Sequence, residues 1–426
     1  MIEIKSNKKW QYYLKLPRRK KMSKLAINGG SPLLNADMYV RPLQWPIRDA
    51  VGAQHLLDVY YSGKWSFNSE TEQKFEEEFA AAHDAKYGIY MANGTVTLQC
   101  ALDALGIQRD DEVIVPALTW VATAMAAYYM GAKVVFADID PETMTLSPEA
   151  FEKAITPRTK AVIPVHLYGS FADLEKIIAI ADKHNIAVIE DCAHMHGGKW
   201  AGKGAGSWGK VGSFSFQQSK TIASGEGGIC LTNDSKLAEL LYRAKHIGYS
   251  RAEKQGSATS KPPMGMPCYN YRGLAFTAQI LRDQLPGLTE RLERYQKFVE
   301  ILTAETAGIE GFRLQKQGRL ATFQGFYATN LFFEGPRWEK IPVTKIAEAM
   351  QAEGTSYYCK NYGPVKDHLL FNMRPGEFSW PEDGAPNAYH VWERSLVFPH
   401  QELYDIEFAP RLAAVIRKIS ENVSEL

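Results

Sequence analysis

Lys220 lies between a run of alternating aromatic residues and a glycine-rich segment, in the sequence GSFSFQQSKTIASGEGG at residues 212–228. Most lysines are solvated at the surface, but an amine fixed between a stiff strand and a loop can also form a covalent bond. Upstream, the apolar run IAVIEDCAH carries two carboxylates, of which Asp191 is the second. A carboxylate buried there needs a cationic partner, whereas one that caps a loop or a helix does not.

Pyridoxal phosphate matches both residues, because its aldehyde binds a lysine amine and its protonated ring nitrogen binds an acidic side chain. Lys220 must be deprotonated to attack, so we expect desolvation and nearby positive charge to lower its pKa. The phosphate needs a third site. ANGTVTLQCAL predicts a strand, a turn and a helix with small residues at its start, where backbone N–H groups face an anion. A well-capped core helix is the alternative interpretation.

Two further side chains can complete such a site. Ser215 alternates with Phe214 and Phe216, so its hydroxyl faces opposite to the two rings and can reach the same phosphate. Trp120 follows a strand end in PALTW and can stack on a flat ring, although a buried core tryptophan is the ordinary interpretation.

Two other motifs give weaker signals. GAGSWG at residues 204–209 matches GxGxxG, but a dinucleotide fingerprint follows a strand and opens a helix, whereas this segment precedes the strand-like KVGSFSF. We therefore interpret it as a tight loop. His194 and His196 could share a metal, but no third ligand has suitable spacing, and we predict no metal site.

Strand-like and helical segments alternate regularly after about residue 70, as in DEVIVPA followed by TWVATAMAAYYMG. This alternation predicts an α/β fold with a mainly parallel sheet that binds ligands at the carboxyl ends of its strands. Polar residues fall at those predicted ends, including Asn93, His166, Glu190 and Asp191.

The predicted parts are an N-terminal extension (1–24), a large domain (25–285) and a smaller C-terminal α+β domain (286–426). The extension is basic, and we expect it to be disordered, with a natural start at Met22 or a basic interaction arm as alternatives. Residues 249–270 are rich in glycine, proline and serine and predict a long loop. A long helix that begins or is interrupted near Pro286 would then lead into the C-terminal domain.

The composition argues against several classes of protein. The 426 residues carry a formal net charge of +1, which gives no reason to expect a nucleic-acid or membrane partner. The five cysteines include no CxxC pair, which favours a reducing cytoplasm over a disulfide framework or a structural zinc site. Continuous apolar runs are too short for a membrane span.

Taken together, these stretches resemble the DegT/DnrJ/EryC1/StrS family, the pyridoxal-phosphate-dependent aminotransferases of sugars and cyclitols. The resemblance covers about residues 25–425 and is most specific between 86 and 285. It rests on NGTVTLQCALDAL, DEVIVPALTWVATA, PVHLYG, VIEDCAH, GSFSFQQSKTIASGEGG and NYR. It implies the aspartate-aminotransferase-like fold, fold type I of these enzymes, with a large domain around a mainly parallel sheet and a smaller C-terminal α+β domain.

The resemblance also implies roles for individual residues. Lys220 matches the lysine that binds the cofactor and moves the proton during transamination. Asp191 matches the partner of the pyridine nitrogen. His194 matches a position that contacts the ring hydroxyl, and Trp120 matches the stacking aromatic residue.

The phosphate-binding positions follow in the same way. Gly94, Thr95 and Val96 match the phosphate-binding helix start, and Ser215 matches a phosphate-binding hydroxyl. Asn270, in CYNYR, matches an asparagine that reaches the phosphate of the neighbouring subunit. The resemblance therefore implies a homodimer with shared active sites.

The substrate stays open between branches of the family. Three features resemble the L-glutamine:scyllo-inosose aminotransferases: the two glutamines before Lys220 in QQSK, the TW pair at 119–120 and the opening LAINGGSP. They favour transfer from L-glutamine or L-glutamate to a keto-cyclitol. DCAHMHGGKWAGK resembles the 3-amino-5-hydroxybenzoate synthases, and a nucleotide-linked keto-sugar is a further alternative. Dehydratase relatives carry histidine where this chain has Lys220, and a non-enzymatic binding protein would need neither Lys220 nor Asp191.

Overall fold

Three β-sheets organise the chain in this computed structural model, which describes residues 24–35, 38, 43–67, 69–254, 256–356 and 358–426. The strands of the described residues are β1 (Tyr87–Met91), β2 (Glu112–Pro116), β3 (Lys133–Ala137), β4 (Thr159–Val162), β5 (Ala187–Asp191), β6 (Lys199–Trp200), β7 (Lys203–Gly204), β8 (Val211–Ser215), β9 (Gly228–Thr232), β10 (Phe312–Leu314), β11 (Ala321–Phe323), β12 (Ala328–Phe333), β13 (Cys359–Lys360), β14 (Phe378–Ser379) and β15 (Ser395–Pro399).

The central sheet has the strand order β1-β9-β8-β5-β4-β2-β3-β14. β9 runs antiparallel to both of its neighbours, whereas β5 pairs in parallel with β4 and β8. β2, β8 and β9 are buried along their whole length, as expected for a sheet covered on both faces. The carboxyl ends of β1, β2, β5 and β8 therefore lie along one edge, where the turns that follow them meet.

Helices cover the sheet and connect its strands. Their bounds are α1 (Ala50–Ser62), α2 (Glu70–Ala82), α3 (Gly94–Ala104), α4 (Val121–Tyr129), α5 (Pro148–Ala154), α6 (Leu174–Lys183), α7 (Ser235–Lys245), α8 (Ala275–Gln284), α9 (Leu288–Thr306), α10 (Val343–Ala352), α11 (Pro386–Arg394), α12 (His400–Leu403) and α13 (Phe408–Glu421). Polar side chains begin several of them, since Ser69, Asn93 and Ser147 accept backbone N–H groups at the starts of α2, α3 and α5.

A second, antiparallel sheet of order β10-β12-β15-β13 forms the C-terminal part of the fold. α9 and α13 pack there around a buried cluster that includes Phe298, Leu331, Phe398 and Leu412. Leu25, near the start of the described chain, belongs to the same cluster.

The buried carboxylate of Glu353 holds the N-terminal segment against this C-terminal part. It accepts the backbone N–H groups of Ala26 and Leu33, both at 2.9 Å, and the ammonium of Lys418 at 2.7 Å. The segment thus contacts C-terminal elements, although the sequence groups it with the large domain. The division into three parts stays a prediction.

The α/β fold with a mainly parallel sheet is confirmed. Between α7 and α8 the described residues form only isolated bridges, as the predicted long loop requires, and Pro286 separates α8 from α9. Residues 1–23 of the predicted extension lie outside the described residues. Among the helices that the structure describes, none has the length and apolar composition needed to cross a membrane.

Candidate active site

A pocket of about 870 Å³ opens at the carboxyl edge of the central sheet. Most of its walls come from the turns after β1, β2, β5 and β8 and from the helices that follow β1 and β2, and two tyrosines of the C-terminal part complete one side. Nearly all of the predicted site residues line it: Gly94, Thr95, Val96, Trp120, Asp191, His194, Ser215 and Lys220. The residues that the sequence placed at the carboxyl ends of the strands therefore lie together at one edge of the sheet, and their roles stay predictions.

Lys220 reaches the pocket from the turn that follows β8. Its own N–H donates to the carbonyl of Gln217 at 2.8 Å, which closes the turn. Its Nζ lies 4.8 Å from the ring centroid of Tyr327. Burial lowers the pKa of Lys220 to about 8, while the charge of Asp191 acts in the opposite direction. The neutral, nucleophilic form of the amine is therefore accessible near neutral pH.

Asp191 ends β5 and carries its carboxylate into the pocket. Oδ1 accepts the N–H of Ala193 at 3.1 Å, and Oδ2 accepts the hydroxyl of Thr123 at 2.8 Å. Burial raises the pKa of Asp191, and the hydrogen bonds and the charge of Lys220 only partly offset this effect. A cationic ligand atom beside Asp191 would favour its ionised form.

His194 lies in a stack of aromatic side chains beside the pocket. Its ring centroid is 3.9 Å from that of Tyr327, and the two planes differ by 9°. The N–H of Tyr168 donates to Nδ1 of His194 at 3.2 Å, which places the ring proton on Nε2. Burial lowers the pKa of His194 well below its ordinary value, so the neutral ring can donate a hydrogen bond from Nε2.

Tyr327 and Tyr362 are pocket residues that the sequence did not reveal. The hydroxyl of Tyr327 lies 3.1 Å from that of Ser219, next to Lys220 in the chain. Both tyrosines lie far along the chain from Lys220 and belong to no motif. An aromatic residue directly before β12 is the weak signal that could have indicated Tyr327.

The start of α3 forms a polar cradle beside Ser215. Oδ1 of Asn93 accepts the N–H groups of Thr95 and Val96, both at 3.1 Å. A Cβ added at Gly94 would lie 2.6 Å from the Cβ of Ser215, so only glycine permits this close approach. An anion bound here would share the amides of Thr95 and Val96 with the Asn93 cap.

Trp120 is 42% exposed, so its interpretation as a buried core tryptophan is wrong. It precedes α4 and contacts the rings of Tyr362 and His368, with centroid distances of 5.4 and 5.1 Å. Trp120 lines the pocket, and its stacking on a planar ligand there stays a prediction.

Asn270 is exposed and does not belong to the lining of the pocket. Its backbone instead forms an isolated bridge with His246. A residue that serves a neighbouring subunit would lie outside its own pocket, and the role of Asn270 across a dimer interface stays a prediction.

His194 and His196 are engaged separately. Nε2 of His196 donates to the carbonyl of Ser215 at 2.8 Å, whereas Nδ1 of His194 accepts a backbone N–H. The ring of His196 therefore binds the end of β8, whereas the ring of His194 binds the backbone at Tyr168. Among the described residues, three potential metal ligands cluster elsewhere: His166, Glu190 and Cys192.

The carboxylate of Glu190 belongs to this cluster and also binds the backbone of the GAGSWG segment. Its Oε1 accepts the N–H groups of Trp208 and Gly209, both at 2.8 Å. Its Oε2 accepts the N–H of Gly206 at 2.9 Å and Nε2 of His166 at 3.2 Å. These four donors saturate the carboxylate. The predicted tight loop is confirmed, and the anion that it binds is the protein's own carboxylate.

We expect Glu190→Gln to reduce the free energy of unfolding by about 3 kcal/mol, because the amide nitrogen would face two donors. Burial alone would raise the pKa of Glu190, but the bonds from His166, Gly209 and Gly206 bring it below the ordinary value of 4.5. The carboxylate therefore stabilises the fold above pH 4.5, and this contribution disappears as the pH falls through the lower folded-state pKa.

Urea unfolding of the wild type and Glu190→Gln from pH 7 down to pH 4 measures this difference. The same change one residue away, Asp191→Asn, is the matched control and should not lower the unfolding midpoint. An unchanged midpoint for Glu190→Gln at pH 7 would contradict the assignment of Glu190 as the anchor of the loop.

The single antiparallel strand in an otherwise parallel sheet, with a lysine and a carboxylate at its carboxyl edge, defines the aspartate-aminotransferase-like class of transferases, fold type I. A C-terminal α+β part that closes one side of the pocket is also typical of this class. The chain belongs to the DegT/DnrJ/EryC1/StrS aminotransferase family, whose model matches residues 47–409. The family predicted from the sequence is confirmed, and the chain is an aminotransferase.

Known proteins of three kinds are similar to this chain. An L-glutamine:2-deoxy-scyllo-inosose aminotransferase of Micromonospora echinospora is 36% identical over 370 residues, which cover 82% of this chain and 84% of the relative. The crystal structure of 3-amino-5-hydroxybenzoic acid synthase has 26% identity and a TM-score of 0.80, with 90% and 99% of the two chains covered. DesI, determined in the presence of its TDP-sugar product, has 25% identity and a TM-score of 0.77, with 94% and 97% covered.

Proposed function

We propose that this aminotransferase uses pyridoxal phosphate to move an amino group from L-glutamine or L-glutamate to a keto-cyclitol. The observation that carries the proposal is the presence of Lys220, whose pKa is lowered to about 8, and the buried Asp191 in one pocket. The relatives named L-glutamine:2-deoxy-scyllo-inosose aminotransferase support this choice of donor and acceptor.

The polar groups of the pocket fit pyridoxal phosphate. Asp191 would hold the ring nitrogen, Nε2 of His194 would donate to the ring hydroxyl, and Trp120 would cover one face of the ring. The hydroxyl of Ser215 and the start of α3 at Gly94 would hold the phosphate, where the missing Cβ leaves room. When bound, the cofactor would supply an electron sink for the substrate carbon.

Lys220 would carry out the proton transfer. Its neutral Nζ would accept a proton from the donor carbon that bears the amine and deliver it again within the pocket. The acceptor would bind after the 2-oxo acid has left, and Lys220 would then move a proton in the opposite sense. Ping-pong kinetics follow from this order.

The hydroxyl, amide and carboxylate groups of the lining support a polyol acceptor. Thr119, Gln217 and Ser219 offer hydroxyl and amide groups, and Glu226 offers a carboxylate that can accept hydroxyl protons. Apart from Lys220, no lysine or arginine occurs among the described residues that line this pocket. A nucleotide diphosphate or a benzoate would favour arginine or lysine partners, so the part of the lining that one chain supplies favours the keto-cyclitol over both alternatives.

The proposal includes a homodimer with shared active sites. Tyr129 and Trp120 line the pocket and are 59% and 42% exposed, so its mouth presents an aromatic surface that a second copy can cover. Asn270, exposed outside its own pocket, is available for the partner's phosphate site. The five free cysteines support a cytoplasmic location.

The test is a transfer assay with purified protein, added pyridoxal phosphate and L-glutamine. Acceptors are 2-deoxy-scyllo-inosose, a TDP-linked keto-sugar and a buffer blank, and mass spectrometry detects the aminated product. We expect amination of the cyclitol at a kcat/KM at least tenfold above that of the sugar, since each missing cationic contact costs about that factor.

Preferential amination of the TDP-linked keto-sugar would contradict the keto-cyclitol as acceptor and assign the protein to the nucleotide-sugar branch of the family. Absence of product from both acceptors, together with no 2-oxo acid formed from L-glutamine or, in a parallel assay, from L-glutamate, would contradict the proposed donors. Gel filtration at micromolar concentration tests the dimer separately, and a monomer would contradict the shared active sites.

A further inference from the structure

Two segments that are distant in sequence hold the peptide that precedes Lys220. The indole N–H of Trp45 donates to the carbonyl of Gln218 at 2.6 Å. Nε2 of His400 lies 3.1 Å from the carbonyl of Ser219. His400 is the first residue of α12 in the C-terminal part, so this contact joins that part directly to the peptide that carries the amine.

The hydrogen bonds of His400 fix its tautomer. A carbonyl oxygen only accepts, so the proton must be on Nε2 and point at Ser219. Nδ1 is then an acceptor, and the hydroxyl of Tyr295, 3.2 Å away, donates to it. Both ring nitrogens are thus used, and the imidazole cannot rotate without losing two buried hydrogen bonds.

The surroundings of His400 keep the ring neutral. Burial lowers its pKa to about 4, and the charges of Arg291 and Lys220 act in the same direction, against the bond to Ser219. The rings of Trp45 and His400 are in perpendicular contact, with centroids 4.8 Å apart and planes at 89°. At neutral pH the ring is a fixed donor that does not change its charge.

The backbone of His400 reaches a second residue of the pocket. Its N–H donates to the carbonyl of Tyr327 at 3.1 Å. The ring of Tyr327 lies beneath Nζ of Lys220, and its hydroxyl contacts that of Ser219. His400 therefore holds both the peptide behind the amine and the ring below it.

We propose that His400 is a positioning residue that fixes the direction in which Lys220 enters the pocket, by binding the carbonyl of Ser219 from the C-terminal part of the fold. This inference rests on the proposed role of Lys220. The effect of His400 on the Lys220 amine can nevertheless be measured without any transfer reaction. The role of His400 and the proposed function can therefore be contradicted separately.

The experiment measures the pKa of the Lys220 amine by competitive labelling. Full-length protein is freed of bound carbonyl compounds with hydroxylamine, labelled with trace acetic anhydride from pH 6 to pH 11, and analysed by peptide mass spectrometry. The variants are His400→Leu, which removes the donor, and His400→Gln, whose side-chain amide can still donate. Phe398→Leu removes a buried ring from the neighbouring β15 and is the control for lost packing.

For the wild type and Phe398→Leu we expect a labelling midpoint near pH 8. His400→Leu should raise the midpoint by about one pH unit, because a released peptide lets the amine reach water, and His400→Gln should restore most of the wild-type value. In the transfer reaction, kcat of His400→Leu should fall about tenfold with KM nearly unchanged.

Two results would overturn the proposal. One is a wild-type midpoint in His400→Leu, which would show that the amine does not depend on this contact. The other is an equal rise in His400→Leu and Phe398→Leu, which would assign the effect to loss of packing in the C-terminal part. If His400→Leu does not fold, Tyr295→Phe, which removes only the hydroxyl that orients the ring, decides the matter. We then expect a midpoint above that of the wild type and of His400→Gln, and an unchanged midpoint in Tyr295→Phe would reject the proposal.

Discussion

Lys220→Ala should lose amino transfer by about 10⁴-fold in kcat, the upper range for removal of a general acid–base group. The structure places no second lysine in the described lining of the pocket, so nothing in this chain can replace the amine. Steady-state assays with L-glutamine and the keto-cyclitol measure the loss. The exposed Lys210, ten residues earlier, gives the matched control, and Lys210→Ala should keep wild-type activity.

The same variant should be more stable than the wild type at neutral pH. The folded-state pKa of Lys220, about 8, lies below the ordinary lysine value of 10.5. Burial of the charged amine therefore opposes folding below pH 8, and this penalty fades as the pH rises toward 10.5. Urea midpoints at pH 7 and pH 10 should show an advantage of Lys220→Ala that shrinks at the higher pH.

Two measurements can contradict this account of Lys220. Transfer that survives in Lys220→Ala within tenfold of wild type would exclude the amine as the proton carrier. A lower urea midpoint for the variant at pH 7 would show that the amine is ion-paired well enough to stabilise the fold. Partial recovery of activity on addition of a small primary amine would instead support the assignment, because a free amine can occupy the vacated space.

Local sequence patterns predicted the part of the site that lies on the central sheet. β5 and β8 are short apolar runs, and in a mainly parallel sheet their carboxyl ends must meet at one edge. This reasoning brought Asp191, Ser215 and Lys220 together correctly. Gly94 was also predicted, as part of the helix start after β1, but its close approach to Ser215 at the end of β8 is visible only in the structure.

The contributions of the C-terminal part could not be predicted in this way. Tyr327 lines the pocket and His400 contacts the carbonyl of Ser219 because the C-terminal part packs beside the turn that carries Lys220, and no local spacing encodes that arrangement. The function of Glu190 was also hidden, since a carboxylate beside Asp191 gives the same sequence signal whether it binds a ligand or a loop. The three-dimensional hydrogen bonds alone distinguish the two carboxylates.

Asp191→Asn should reduce transfer by about 10³-fold, the factor that corresponds to breaking a buried ion pair. The amide has nearly the shape of the carboxylate. Its oxygen can accept the N–H of Ala193, and its nitrogen can donate to the hydroxyl of Thr123, which now accepts. The pocket therefore keeps its shape. The variant loses only the negative charge that would hold a protonated ring nitrogen.

The stability of Asp191→Asn separates this role from that of Glu190. Burial raises the pKa of Asp191, so its ionised form opposes folding, and the neutral amide should leave the urea midpoint at pH 7 equal or higher. Glu190→Gln makes the same chemical change against four donors and should lower it. An Asp191→Asn variant that unfolds more easily yet transfers the amine at the wild-type rate would show that Asp191, too, serves the fold rather than the ligand.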